Sequence, residues 1–128
     1  MLTVIKWKHQ WSCPNDRIVW VIVKKLDEAW KKDKGCYLPP GSCLNNRVGE
    51  WFVKLAAAKE RVPMPLIGYY EEKVMFTDGR HRFGWCRDNG VRAMPVSVES
   101  NAQVRLVGKL FGSKARICRV PQSRLVLV

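Results

Sequence analysis

The chain has 128 residues, 47% hydrophobic and 27% charged, a composition that excludes a disordered or collagen-like polymer and suits one globular domain. Lys and Arg number 23 against 11 Asp and Glu, so the net charge of +12 points to polyanionic partners: nucleic acid, nucleotide phosphates or an acidic protein surface. No apolar run approaches the ~18 residues of a membrane span, and Met1 to Trp11 alternates polar and apolar residues without the pattern of a signal peptide. No membrane insertion and a cytoplasmic location are therefore expected.

Thr3 to Lys8 alternates as a strand does, and Arg17 to Val23 is a β-branched run with Trp20 inside it. Leu26, Ala29 and Trp30 then share a helical face, with Gly35 as the stop. Pro39-Pro40-Gly41-Ser42 marks a loop, and Asn45-Asn46 suits the cap of a helix over Arg47 to Lys59, whose stripe is Val48, Trp51, Phe52 and Leu55. Pro63 and Pro65 are expected to end that helix. Leu66 to Tyr70 and Lys73 to Thr77 read as strands joined by a tight turn at Glu71-Glu72. Arg80 to Asn89 reads as a helix stopped by Gly90, followed by a strand at Pro95 to Val98. A helix between two strands is a crossover, which predicts parallel or near-parallel neighbours on either side.

From Ser100 to Val128 the chain carries six basic residues and no acidic one, half of the net charge. Val104 to Val107, Ala115 to Val120 and Leu125 to Val128 read as strands of a basic hairpin or meander, giving a basic β extension over residues 100–128. Arg105, Lys109, Lys114, Arg116 and Arg119 are its candidate nucleic-acid contacts, and a solvated basic face is the plainer alternative. The fold class is α+β: one domain over residues 1–128, with a small mixed sheet and flanking helices.

Cys13, Cys36, Cys43, Cys86 and Cys118 include no C-x-x-C pair, so no metal site is assigned and they read as small buried hydrophobes. Of the six tryptophans, Trp20 and Trp51 sit in apolar patterns and are expected in the core. Trp7 and Trp11 are the better surface candidates, for nucleic acid or a protein partner.

The chemistry concentrates at Asp78-Gly79-Arg80-His81-Arg82, where a strand turns into a helix. The first N–H groups of a helix lack intrahelical partners and the helix dipole adds partial positive charge there. Gly79 lets backbone approach closely, and Arg80, His81 and Arg82 surround the same point. Three basic side chains at a helix N-terminus oppose the dipole, at about 0.3–1 kcal/mol each, unless an anion offsets them. The turn therefore reads as a phosphate site. His81 would donate best as the imidazolium, near or below pH ~6.5; its alternative is to pack against the sheet. Asp78 is the candidate catalytic carboxylate, placed to bind Mg²⁺ beside a triphosphate or to orient water; capping, or pairing with Arg80 or Arg82, is the structural alternative. No general base stands out among Glu28, Glu50, Glu71 and Glu72.

Phe76-Thr77-Asp78-Gly79-Arg80-His81-Arg82-Phe83, Asp88-Asn89-Gly90-Val91 and Met94-Pro95-Val96 together resemble the core of the ParB/sulfiredoxin superfamily, densely over about residues 63–98. Within it they most resemble the plasmid fertility inhibition factors, which block conjugative or T-DNA transfer of a co-resident plasmid. The resemblance implies that Gly79, Arg80, His81 and Arg82 hold a phosphate of ATP, another nucleotide or nucleic acid, with Mg²⁺ as a companion. It also implies a coupling ATPase of the transfer machinery as a protein target. Some members hydrolyse nucleotides or cleave DNA, so an ATPase or nuclease is the alternative function, and a non-catalytic nucleic-acid-binding module the third. Sulfiredoxins carry a catalytic cysteine where this chain has Arg80, so sulfinic-acid repair is not expected. Partition-type members continue into DNA-reading and dimerisation domains, and their centromere-specific binding and clamp sliding are not expected of these 128 residues.

Overall fold

A computed structural model of the chain describes residues 1–10, 16–45 and 50–125. Its centre is a four-stranded mixed sheet in the order β3 (Arg17–Ile22), β7 (Ala93–Val98), β5 (Leu66–Tyr70), β6 (Lys73–Asp78). Every residue of β7 is buried, as befits a strand flanked on both sides and covered on both faces. It pairs antiparallel with β3 from Arg17↔Val98 to Ile22↔Ala93, and meets β5 in parallel at Leu66↔Ser97. Among the described residues four α-helices accompany the sheet: α1 (Val23–Trp30), α2 (Glu50–Ala57), α3 (Arg80–Asp88) and α4 (Asn101–Phe111). The architecture is α+β.

The β5–β6 hairpin forms where alternation predicts it, and Glu71 and Glu72 both take positive φ, at 53° and 63°. The crossover expectation needs correcting. β6 and β7 flank α3, but they are not neighbours and run in opposite directions, because β5 lies between them and is antiparallel to β6. The local hairpin pairs first in sequence, and the returning chain finds the free edge of β5.

α1 buries Leu26 and Trp30 completely and ends at Trp30, short of Gly35. α2 stops before the prolines: Lys59 adopts φ 60°, and the Lys59 and Glu60 N–H groups bond to the Ala56 and Leu55 carbonyls in a left-handed terminal motif. Asn46 to Gly49, expected to cap and begin this helix, lie outside the described residues. α3 closes in the same way at Gly90, φ 81°, with Gly90 N–H bonded to Arg87 O and Val91 N–H to Cys86 O, as its sequence predicts.

The expected basic β extension is mostly helix. Val104 to Val107 belong to α4, whose N-cap Ser100 accepts a hydrogen bond from Gln103 N–H. The buried Gln103 side chain bonds both to Tyr69 N–H and to Tyr69 C=O, fixing the helix to β5. Within Ala115 to Val120 only the end is strand: β8 (Arg119–Pro121) returns to pair antiparallel with β1 (Leu2–Val4). Leu125 closes a 3₁₀ turn, Gln122–Leu125, and Val126 to Val128 lie outside the described residues. The Thr3 to Lys8 strand divides into β1 and β2 (Trp7–Lys8), and β2 runs parallel to β4 (Val62–Pro63).

Aromatic side chains dominate the core. Trp30 packs against Tyr37, Phe76 and Phe83 at centroid distances of 4.9, 4.5 and 5.6 Å. The expectations for Trp7 and Trp51 are reversed: Trp7 is buried and Trp51 is 50% exposed, whereas Trp20 is half-buried against the core and Trp11 lies outside the described residues. Cys43, Cys86 and Cys118 are buried as expected, Cys36 is exposed, and Cys13 is not among the described residues.

Candidate functional site

β6 ends at Asp78 and α3 starts at Arg80, so the predicted turn is a real strand-to-helix junction. Gly79 holds it at φ 89° and is the N-cap, with no side-chain cap bond. A Cβ here would lie 2.8 Å from Pro65 Cα and 2.8 Å from Arg82 Nη2. Glycine is therefore required by the left-handed backbone and by its protein neighbours, not only by ligand approach. The first intrahelical bond is Phe83 N–H to Gly79 O, which leaves the Arg80, His81 and Arg82 N–H groups ahead of it.

Asp78 does not cap the helix. Its Oδ2 accepts from Arg82 Nη2 at 3.0 Å and from Gln10 Nε2 at 2.6 Å. The parallel β2–β4 pairing brings Gln10 here, and the same Nε2 donates to Met64 O. Arg82 is the unusual member of the site: its side chain is only 7% exposed, and its buried Nε has no hydrogen-bond partner among the described residues. Its guanidinium also lies 5.1 Å from the centroid of the Trp51 ring.

Arg80 is half-buried and donates to Cys36 O at 3.2 Å. His81 is exposed rather than packed against the sheet. Partial desolvation beside the cleft, and then the charge of Arg80, hold its imidazole below the ordinary 6.5. At neutral pH the turn thus carries two full cations, not three, and one of them is matched by Asp78.

These residues line one cleft of about 630 Å³, together with Gln10, Cys36, Trp51, Phe52 and Phe76. The volume falls within the roughly 300–1,000 Å³ of small-molecule sites. Cationic side chains, N–H groups without intrahelical partners, aromatic rings and one carboxylate in the same cleft suit an anionic ligand with an apolar part.

The C-terminal basic residues take no part in lining this cleft. Arg105 and Lys109 are exposed on α4, and Arg119 is exposed on β8. Lys114 and Arg116 line a separate open groove of about 580 Å³ with Ile18 and Trp20. Gln10 and Trp51 were not foreseen as site residues. Nothing local in the sequence marks Gln10, but Trp51, directly after Glu50 at the start of α2, carries a hint of exposure.

A second charged cluster lies behind the turn. Arg87 pairs with Asp27 and Asp88 at 2.9 Å each and donates to the Leu38 and Pro39 carbonyls. Asp88 accepts from the Gly41 and Cys43 N–H groups, and Tyr37 donates to Asp27. Burial alone would raise the Asp88 carboxyl, but the bonds from Arg87, Gly41 and Cys43 outweigh it and hold the group below 3.8. This network clamps the 31–45 loop, with Cys36, beside the cleft. Cys86 is fully buried, and its contact with Cys118 and then its burial push the thiol well above 9.0, the opposite of an activated nucleophile.

No protein-family model and no curated protein matches the chain. The fold is similar to that of a solved structure, Oncogenic Suppression Activity Protein, a plasmid fertility inhibition factor crystallised as a gold(I) cyanide derivative. The TM-score is 0.57 at 21% identity, covering 85% of this chain. This chain spans 63% of that protein's length. The likeness is one of fold.

Proposed function

We propose that this protein is a fertility-inhibition-type factor of the ParB/sulfiredoxin superfamily that binds a phosphate of a nucleotide or nucleic acid at Asp78 to Arg82. One observation supports the reading of the site: at the start of α3, Gly79, Arg80, His81 and the almost fully buried Arg82 line one cleft. A buried guanidinium matched only in part by the half-exposed Asp78 carboxylate favours a further anion. The exposed basic residues Arg105, Lys109, Lys114, Arg116 and Arg119 supply the wider field that draws in a polyanion. The fold-level likeness to a plasmid fertility inhibition factor supports the biological role.

The test is a mating assay with the protein expressed in the donor, beside an Arg80→Ala/Arg82→Ala variant of equal abundance. Lower transfer frequency with wild type and restored transfer with the variant is expected. Unchanged transfer of every plasmid tried would reject the role. Co-purification of a coupling ATPase from the same donor tests the protein target. The enzymatic alternative rests on Asp78, which keeps a half-exposed carboxylate at the cleft. Mg²⁺-dependent release of phosphate from ATP, or cleavage of DNA, lost in Asp78→Asn would favour it.

A further inference from the structure

β3 is an edge strand of the central sheet, and its outer side lies beside two open cavities of about 580 and 220 Å³ that share Ile18, Trp20 and Arg116. Backbone groups of successive residues in a strand point to opposite sides. Val23 N–H bonds to Arg92 O on the β7 side, and Trp20 C=O accepts outward from Ser113 N–H at 2.8 Å, so the even-numbered residues of β3 face away from β7. Gly112, bridged to Val21, closes the outer side at that end of the strand. Nearer its start, nothing among the described residues pairs with the Ile18 N–H and C=O. The side chains around this opening are aliphatic and basic. Ile18 and Ile117 are 45% and 38% exposed, and Lys6, Arg61, Lys114 and Arg116 line the two cavities without any Asp or Glu. None of these four cations has a carboxylate partner among the described residues.

We propose that the outer edge of β3 docks an extended acidic segment of a partner protein, which adds as a strand beside Ile18. A free strand edge presents donors and acceptors together. Another strand satisfies both, whereas a phosphate backbone offers acceptors alone. An extended peptide also sends alternate side chains to one face, where Ile18, Ile117 and Pro95 form an aliphatic wall for its apolar groups. The four unmatched cations select acidic residues between those groups, and they repel a second copy of this chain, whose net charge is +12. This surface shares no lining residue with the cleft at the β6–α3 turn, so it stands independently of the phosphate reading.

The probe is a fluorescent octapeptide that alternates glutamate with valine, read by anisotropy against the full chain. Its controls are a peptide of the same composition with the glutamates and valines in separate blocks, one that alternates lysine with valine, and a short oligothymidylate. Wild type should bind the alternating acidic peptide about tenfold tighter than the block peptide and should not bind the lysine peptide. Ile18→Pro removes the outward N–H without touching the β7 ladder, and should weaken the acidic peptide about fivefold or more. Lys114→Glu/Arg116→Glu should weaken it about tenfold, and Arg80→Ala/Arg82→Ala should leave it within about twofold. The Ile18 amide should gain protection from hydrogen exchange when the peptide is added, as a new strand pair requires. Thermal melts show which variants fold. If Ile18→Pro does not, the charge reversal at two exposed positions and the Ile18 protection in wild type decide the outcome. Equal affinity for the two acidic peptides, an Ile18 amide left unprotected, or no binding by wild type overturns the proposal. Tighter binding of oligothymidylate that Lys114→Glu/Arg116→Glu loses and Ile18→Pro keeps also overturns it, and assigns the surface to nucleic acid.

Discussion

Arg82 Nη2 lies 3.0 Å from Asp78 Oδ2, yet the arginine side chain is 7% exposed and the carboxylate 56%. The pair joins a buried cation to a solvated anion across the start of α3. Water screens Asp78, so it offsets the guanidinium only in part. Asp78→Asn should therefore lower stability by about 1 kcal/mol, measured by urea unfolding. It should also tighten tripolyphosphate binding in the absence of Mg²⁺, because the competing carboxylate is gone. Weaker binding confined to solutions with Mg²⁺ would instead assign Asp78 to a metal ion.

Glu71 and Glu72 occupy consecutive left-handed positions at the tip of the β5–β6 hairpin. This geometry favours Asn-Gly, and an L residue with a long side chain pays roughly 1 kcal/mol at such a position. Glu71→Asn/Glu72→Gly should raise stability by about 1 kcal/mol and the melting temperature by about 4 °C. The hairpin tip is remote from the cleft, so ligand affinity should be unchanged.

Arg87 is the reverse case, a buried cation with two buried carboxylates. Arg87→Ala strands Asp27 and Asp88 and frees the Leu38 and Pro39 carbonyls, at an expected cost of about 3 kcal/mol by chemical denaturation. The Asp88 carboxyl is depressed in the fold, so its contribution is present above its unfolded value near 3.8 and is lost as pH falls through the lower folded value. Asp88→Asn should accordingly flatten the acid limb of the stability curve below about pH 4.

The parts of this fold that local patterns encode were legible. The β5–β6 hairpin, the strand-to-helix turn at Gly79, and α3 with its Gly90 stop all lie within one stretch whose periodicity, turn residues and caps agree. Val104, Leu106 and Val107 suggest β propensity, yet all three lie within α4. The stronger signal was Ser100 followed three residues later by Gln103, with Val104, Val107 and Phe111 on one helical face. Tertiary pairing decides the rest. Gln10 reaches Asp78, 68 residues away, only because β2 pairs with β4. Trp7 is buried and Trp51 exposed because of what packs over them, which no periodicity within β2 or α2 discloses.

His81 gives the turn a pH dependence whose sign is fixed by its surroundings. Partial desolvation and the Arg80 charge lower its folded pKa below the 6.5 of the unfolded chain. The unfolded state therefore takes up the proton first, and stability rises with pH between the folded value and 6.5. A bound anion acts in the opposite direction by favouring the imidazolium. Affinity should be greatest below the free pKa and be lost as pH rises through the higher pKa of the complex. Sulfate is the suitable probe because its charge is constant over this range, unlike that of phosphate. NMR titration of the His81 ring should show its pKa rising on addition of sulfate. A His81 pKa indifferent to sulfate would remove this histidine from the anion site and leave Arg80 and Arg82 as its only charged donors.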